Sequence, residues 1–194
     1  MRKKIKQVVI LFACRDSLYK KIPYLDVWDI DRDARNYNGS APIVGHPPCR
    51  SWGKYRYMAK PRKDEKYLAV WCVNEIRRVG GVLEHPAGST LWPLYRLPEP
   101  GMQDKWGGYT IIVNQSDWGH KCIKPTRLYI VGCPIDHLPD RPINPGKPTH
   151  VMDNPKNYKN NLPQIPKTDR ERTPLPFALW LIAIARRSNP PILR

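Results

Sequence analysis

An α/β domain is the fold class this sequence predicts, with a mostly parallel sheet and helices on both of its faces. Three observations predict it. Short, continuous apolar runs rich in β-branched residues recur along the chain, as they do in strands buried on both faces. One longer segment carries its apolar residues at helical spacing between two such runs. Strand, helix and strand then alternate, and that order builds a parallel sheet covered by its own crossovers.

The elements follow in order. "QVVILFA" (7–13), behind a basic leader, predicts a buried first strand. "YLDVWDID" (24–31) predicts a second, ending in carboxylates, and "APIVGHPPC" (41–49) a third that runs into a loop. Segment 64–81, "DEKYLAVWCVNEIRRVGG", places Leu68, Val70, Trp71, Val73, Ile76 and Val79 at helical spacing, and Gly80 and Gly81 end that helix. "GVLEHP" is a short strand, and "GYTIIVNQSDWG" and "RLYIVG" are two more. In "TPLPFALWLIAIARR" (173–187) Thr173 suits a cap, Pro174 the first turn, and Arg186 and Arg187 the C-terminal end of the dipole. Residues 134–168 are rich in Pro, Asn and Lys without periodicity and predict an irregular segment. The predicted organisation is therefore an α/β core over 1–133, an irregular segment over 134–170, and a C-terminal helix within 171–194 that packs back on the core.

Composition narrows the partner. The chain has 194 residues, 41% hydrophobic and 26% charged, which suits one domain with a real core. Lys and Arg number 33 against 17 Asp and Glu, a formal charge of +16, and this favours a polyanion such as nucleic acid. Proline reaches 22, about twice ordinary usage. The five cysteines, Cys14, Cys49, Cys72, Cys122 and Cys133, are odd in number and widely spread, as reduced thiols would be. The start has no signal-peptide pattern and "FALWLIAIA" is too short to cross a bilayer, so a cytoplasmic protein with no membrane partner is expected.

In an α/β sheet, ligands bind beyond the carboxyl ends of the strands. The polar residues just after each apolar run are therefore candidates. They are Cys14, Arg15 and Asp16; Asp29 and Asp31; Cys49 and Arg50; Glu84 and His85; and Gln115 with Trp118, Gly119 and His120. In "GHPPCRSWGKYR" (45–56), two prolines hold the backbone before Cys49, and cations and aromatic rings follow it.

Taken in order, these motifs resemble the cytosine-5 DNA methyltransferase family, in a shortened, methyltransferase-like (Rossmann-like) form of phage type. "VVILFAC" is similar to that family's opening strand and FAGxG cofactor loop, and "DVWDIDRDARNY" to the segment whose acid binds the cofactor ribose. "GHPPCRSWG" resembles the loop with the nucleophilic cysteine, and "GVLEHP" the strand ending in ENV. "DWGHKCIKPTRLYIVG" resembles the QxRxR segment, and "ERTPLPFALWLIAIARR" the closing helix. The resemblance covers 7–133 and 171–187. It implies methyl transfer to carbon 5 of cytosine in DNA, with S-adenosylmethionine as donor.

Residue roles follow from the resemblance. Cys49 is the expected nucleophile, adding to carbon 6 so that carbon 5 becomes enamine-like. Glu84 is expected at ring nitrogen 3, and Arg127 at the edge where charge develops. Phe12, Asp29, Asp31 and Pro48 are the expected cofactor contacts. Arg50, Trp52, Lys54, Arg56, His85, Trp118, His120 and Lys124 are expected to handle the nucleic acid, since a base must leave its stack and enter a basic, aromatic channel.

The sequence also departs from the family. "FACRD" replaces the glycines with Cys14 and Asp16 around Arg15; Arg50 and His85 replace a glutamine and an asparagine; and the acid-bearing strand after Asp31 is missing. Three alternatives therefore stand beside the main expectation. One is a non-catalytic DNA-binding protein on a degenerate fold. Another is a base-modifying enzyme with a different donor or a free nucleotide as substrate. The third is a zinc site at His46, Cys49, His120 and Cys122, whose spacings do not match structural zinc pairs. No metal is expected.

Overall fold

The computed structural model describes residues 6–143, 145–154, 156 and 161–191. The leader 1–5, positions 144, 155 and 157–160 of the irregular segment, and the last three residues lie outside the described residues. Six strands form one sheet: β1 Val8–Leu11, β2 Leu25–Trp28, β3 Ile43–Gly45, β4 Gly81–Pro86, β5 Tyr109–Asn114 and β6 Pro125–Val131. Their order across the sheet is β2-β1-β3-β4-β6-β5.

The sheet is mixed rather than mostly parallel. β1 pairs in parallel with β2 and β3, and β3 with β4. β6 is antiparallel to both of its neighbours, β4 and β5. Segment 115–124 between β5 and β6 holds a single 3-10 turn, Gln115–Trp118, and no crossover helix. A connection that short returns the chain antiparallel.

The α/β layering follows from the apolar runs. The 15-residue helix α1, Glu65–Val79, covers one face of the sheet, against Val9, Leu11, Ile43, Leu83, Tyr129 and Val131. Gly45 is needed there, because a Cβ on it would lie 2.3 Å from the Cys72 sulfur of α1. Two short helices were not foreseen: α2, Leu91–Leu94, and α3, Lys167–Arg170. The last helix, α4, Leu175–Arg187, covers the other face against Val8, Ile10, Val44, Val82, Leu128 and Ile130. Both faces are buried, which is why β1 reads as unbroken apolar sequence. On α4, Phe177, Leu181 and Ile184 are fully buried. Each such side chain contributes roughly 1.5–3 kcal/mol by leaving water.

The irregular segment is tied to this core. Pro139 accepts a hydrogen bond from the Trp180 indole at 3.0 Å, and the Thr149 and His150 amides donate to the Lys121 carbonyl at 2.8 and 3.0 Å. Among the described residues no helix is long and apolar enough to cross a membrane.

Candidate active site

The strand order has its switch point at β1, which has β2 on one side and β3 on the other. The chain leaves the sheet there in opposite directions and opens a crevice at the carboxyl ends. The loop after β1 carries Phe12 to Asp16, and the loop after β3 carries His46 to Cys49.

On the α4 side of this crevice five polar side chains form one chain of hydrogen bonds. The Tyr19 hydroxyl meets His46 Nε2 at 2.9 Å, and His46 Nδ1 meets Glu84 Oε2 at 3.0 Å. Gln115 Nε2 donates to Glu84 Oε1 and to Thr126 Oγ1, both at 2.9 Å. Gln115 is fully buried, and its Oε1 has no hydrogen-bond partner. The carboxylate can only accept, so the amide nitrogen must be the atom facing Glu84. Burial pushes the Glu84 pKa up. The hydrogen bond and charge of His46, with Lys124 and His85, outweigh it and bring the value down to about 2.

Cys49 ends the proline pair and begins a tight turn, its carbonyl accepting from the Trp52 and Gly53 amides at 2.9 Å each. Its thiol is half-buried. Burial raises its pKa above the ordinary cysteine value, the charges of Glu84 and Glu171 raise it further, and Lys124 lowers it. The thiol therefore shares its electrostatic environment with Glu84, Lys124 and Glu171. Cys14, after β1, feels Glu171 and Lys124 as well. Glu84, Lys124 and Glu171 thus lie within electrostatic reach of the Cys49 thiol, and His46 and Gln115 are hydrogen-bonded to Glu84.

Arg127 is not part of this group. Strand register pairs Glu84 with Leu128 and His85 with Arg127, so Arg127 and Glu84 point to opposite faces of the sheet. The Arg127 guanidinium donates to the Pro98 carbonyl at 2.6 Å and to Thr110 Oγ1 at 3.1 Å, and it lies 5.0 Å from the Trp92 ring. It is a packing residue of the α1 face, and the expected role at the reacting base is corrected. His85 shares that face, 1% exposed and edge-on to Trp92. The Pro48 carbonyl faces its ring, yet neither ring nitrogen closes a hydrogen bond. Burial lowers the His85 pKa to about 4, against the pull of Glu84. It is a neutral core histidine and not a DNA contact.

The cofactor residues are occupied within the chain. Asp29 is buried, and its carboxylate accepts from Lys20 Nζ at 2.5 Å and from the Asp31 amide at 3.0 Å. Asp31 takes the Arg15 guanidinium, with Nη2 to Oδ1 at 2.6 Å and Nε to Oδ2 at 3.1 Å. Phe12 has φ of 64° and packs edge-on to Trp71. Exposed side chains of Cys14 and Asp16 stand where bare backbone would meet a cofactor. As they stand, these residues do not fit S-adenosylmethionine.

The nucleic-acid candidates divide by exposure. Trp118 is buried and stacks in the core on Phe177 and Trp180, with ring centroids 5.1 and 4.8 Å away. Trp52 is 3% exposed, its indole nitrogen donating to the Lys66 carbonyl at 3.2 Å. His120 is buried, and its Nδ1 accepts from the Cys122 amide at 3.0 Å. These three are structural, which corrects their expected contact with bases. Arg50, Lys54 and Arg56 are exposed and Lys124 is half-buried. Exposed Tyr55, Tyr57, Met58 and Tyr67 lie among the cations of segment 50–67. The three tyrosines supply the accessible aromatic surface that the sequence predicts for the tryptophans.

Sequence reasoning missed Tyr19, Thr126 and Glu171, and took His46 only as a zinc ligand. A signal existed for His46, three residues before Cys49 in a rigid loop. Glu171 lies just ahead of a helix with no motif of its own. Among the described residues no group of three or more His, Cys, Asp or Glu side chains converges on one point. No protein-family profile matches the chain, and no curated protein matches it.

Proposed function

We propose that this protein modifies a pyrimidine base in DNA through a covalent bond from Cys49 to carbon 6 of a cytosine ring. Methyl transfer to carbon 5 is the reaction implied by the resemblance to cytosine-5 methyltransferases. The observation that carries the proposal is the pairing of Glu84 with His46 and Gln115 beside the Cys49 turn. Carboxylate and thiol come from the ends of adjacent strands and share one electrostatic environment.

The addition balances within these residues. Sulfur bonds to carbon 6, and the carbon 5–carbon 6 π pair shifts through the ring toward nitrogen 3. The proton that leaves the thiol is carried by Glu84 to nitrogen 3, so the neutral adduct is an enamine with a nucleophilic carbon 5. Lys124 offsets negative charge as it develops at the sulfur and at Glu84. The proposal extends to this enamine and not to a particular donor, because the residues at the β1 and β2 ends do not fit the expected one.

Hydrogen exchange at carbon 5 tests this without a donor. DNA labelled with tritium at cytosine carbon 5 should release label to water, since addition, protonation, deprotonation and elimination need only the protein. Cys49→Ser should slow release by about 100-fold or more with DNA still bound. Bound DNA that releases no label with the native chain would overturn the covalent reading. One feature favours a second reading, non-catalytic DNA binding: burial and the charges of Glu84 and Glu171 push the Cys49 thiol pKa up, away from the thiolate. The same experiment separates the two.

A further inference from the structure

A groove of about 340 Å³ opens beside the turn that Cys49 begins, on the α1 side. Ser51 and Trp52 of that turn and Thr90, Pro93 and Leu94 of the α2 region line it. Arg56 and Lys66 also line it. Thr90 is committed to the scaffold, its amide and hydroxyl both donating to the Trp52 carbonyl at 2.9 and 3.1 Å. The Ser51 hydroxyl oxygen is buried and has no hydrogen-bond partner.

Charge in this stretch is unevenly compensated. Buried Glu65 faces both Arg50, at 2.7 Å, and Arg62, at 3.7 Å. Arg56 and Lys66 have no carboxylate partner among the described residues; Arg56 reaches the Gly53 carbonyl at 3.3 Å, and Lys66 Nζ lies 5.3 Å from the Trp52 ring. Two uncompensated cations thus line a groove whose other lining is largely apolar, with Leu94 mostly exposed. A pair of cations suits a phosphate, and the apolar lining suits the sugar or base beside it.

We infer that this groove takes a phosphate-bearing nucleotide unit, its phosphate between Arg56 and Lys66 and its sugar and base against Pro93 and Leu94. In a polynucleotide this is the unit flanking the base presented to Cys49, since Ser51 and Trp52 belong to the same turn. The inference rests on the nucleic-acid part of the function proposed above and is independent of the covalent chemistry.

The test uses the full chain and fluorescein-labelled DNA oligonucleotides, single- and double-stranded, in anisotropy titrations across a salt series. Arg56→Gln and Lys66→Gln should each weaken binding by about 5- to 10-fold at low salt and reduce the salt slope by about one. Lys105→Gln, outside the groove, serves as the control and should change neither by as much. Melting temperatures confirm that each variant is folded. Oligonucleotide binding that both groove variants leave within about two-fold of the native chain would overturn the inference and leave the proposed function standing. Calorimetry with cytidine monophosphate is the second arm. Binding of the mononucleotide that needs Arg56 and Lys66, with no oligonucleotide binding, would keep the groove and overturn the DNA reading. Binding of neither probe would overturn both.

Discussion

His46 has a partner on each ring nitrogen, and Glu84 fixes which atom carries the hydrogen they share. Glu84 can only accept, so the hydrogen between the two sits on Nδ1, and Nε2 pairs with the Tyr19 hydroxyl. The pair holds Glu84 ionised in a site where burial alone would neutralise it. Glu84 lies well below the ordinary glutamate value of 4.5, at about 2, so its contribution to stability is complete above 4.5 and is lost as pH falls through 2. His46→Phe removes the donor and leaves the carboxylate buried. The variant should be less stable by about 1–3 kcal/mol at pH 7. In denaturant titrations the difference from the native chain should shrink as pH falls from 4.5 toward 2. An unchanged difference across that range would show that His46 acts through packing and not through Glu84. At this scale the sequence was partly legible. Cys49 and Glu84 stood out because strand-end position and residue type are visible in the chain. Trp52 and Trp118 misled because neighbouring glycines suggest exposed loops, whereas their rings meet Tyr95, Phe177 and Trp180, and such distant packing leaves no local mark.

Strand parity decides what an element offers the site, and here it was hidden. In β6 both faces are buried, with Leu128 and Ile130 under α4 and Tyr129 and Val131 under α1. A run that is apolar on both faces carries no alternation from which to read which side Arg127 takes. Its register against β4 settles the matter and joins Arg127 to the 97–99 turn and to β5 instead of to Glu84. Most of the strands and both long helices were legible from run length and spacing. The reversal of β6 was not, because "NQSDWG" reads as strand continuation and not as the 3-10 turn that follows β5. Arg127→Ala should therefore act on stability. A loss of about 1–3 kcal/mol is expected, from the buried hydrogen bonds the guanidinium makes to the Pro98 carbonyl and the Thr110 hydroxyl, which then keep only the bond to each other. Label release per folded molecule should match the native chain in the carbon 5 exchange assay. A fall in release at an unchanged melting temperature would return Arg127 to the chemistry.

Across the whole molecule the excess of cations is not spread evenly. Around β1 and β2 most of the cations are matched: Arg15 with Asp31, Lys20 with Asp29, Arg32 with Asp26, and Arg35 with Asp33 and Asp64. Beyond Cys49 the balance changes. Lys54, Arg56, Lys60, Lys63 and Lys66 have no ion pair among the described residues, and exposed Tyr55, Tyr57 and Tyr67 stand between them. Part of the +16 charge is thus concentrated, without carboxylate partners, in the stretch that follows the Cys49 turn. A polyanion bound there releases counterions in proportion to the phosphates it has neutralised. With several of these cations engaged, log affinity for duplex DNA should fall against log salt with a slope of about −4 or steeper. Charge reversal at Lys60 and Lys63 together should make the slope shallower by about two, because each contributes one phosphate contact. The same reversal at Arg32 and Arg35 should leave the slope nearly unchanged, because their charge is already met by aspartates. Equal effects from both pairs of substitutions would mean that DNA senses net charge alone and that no particular face binds it.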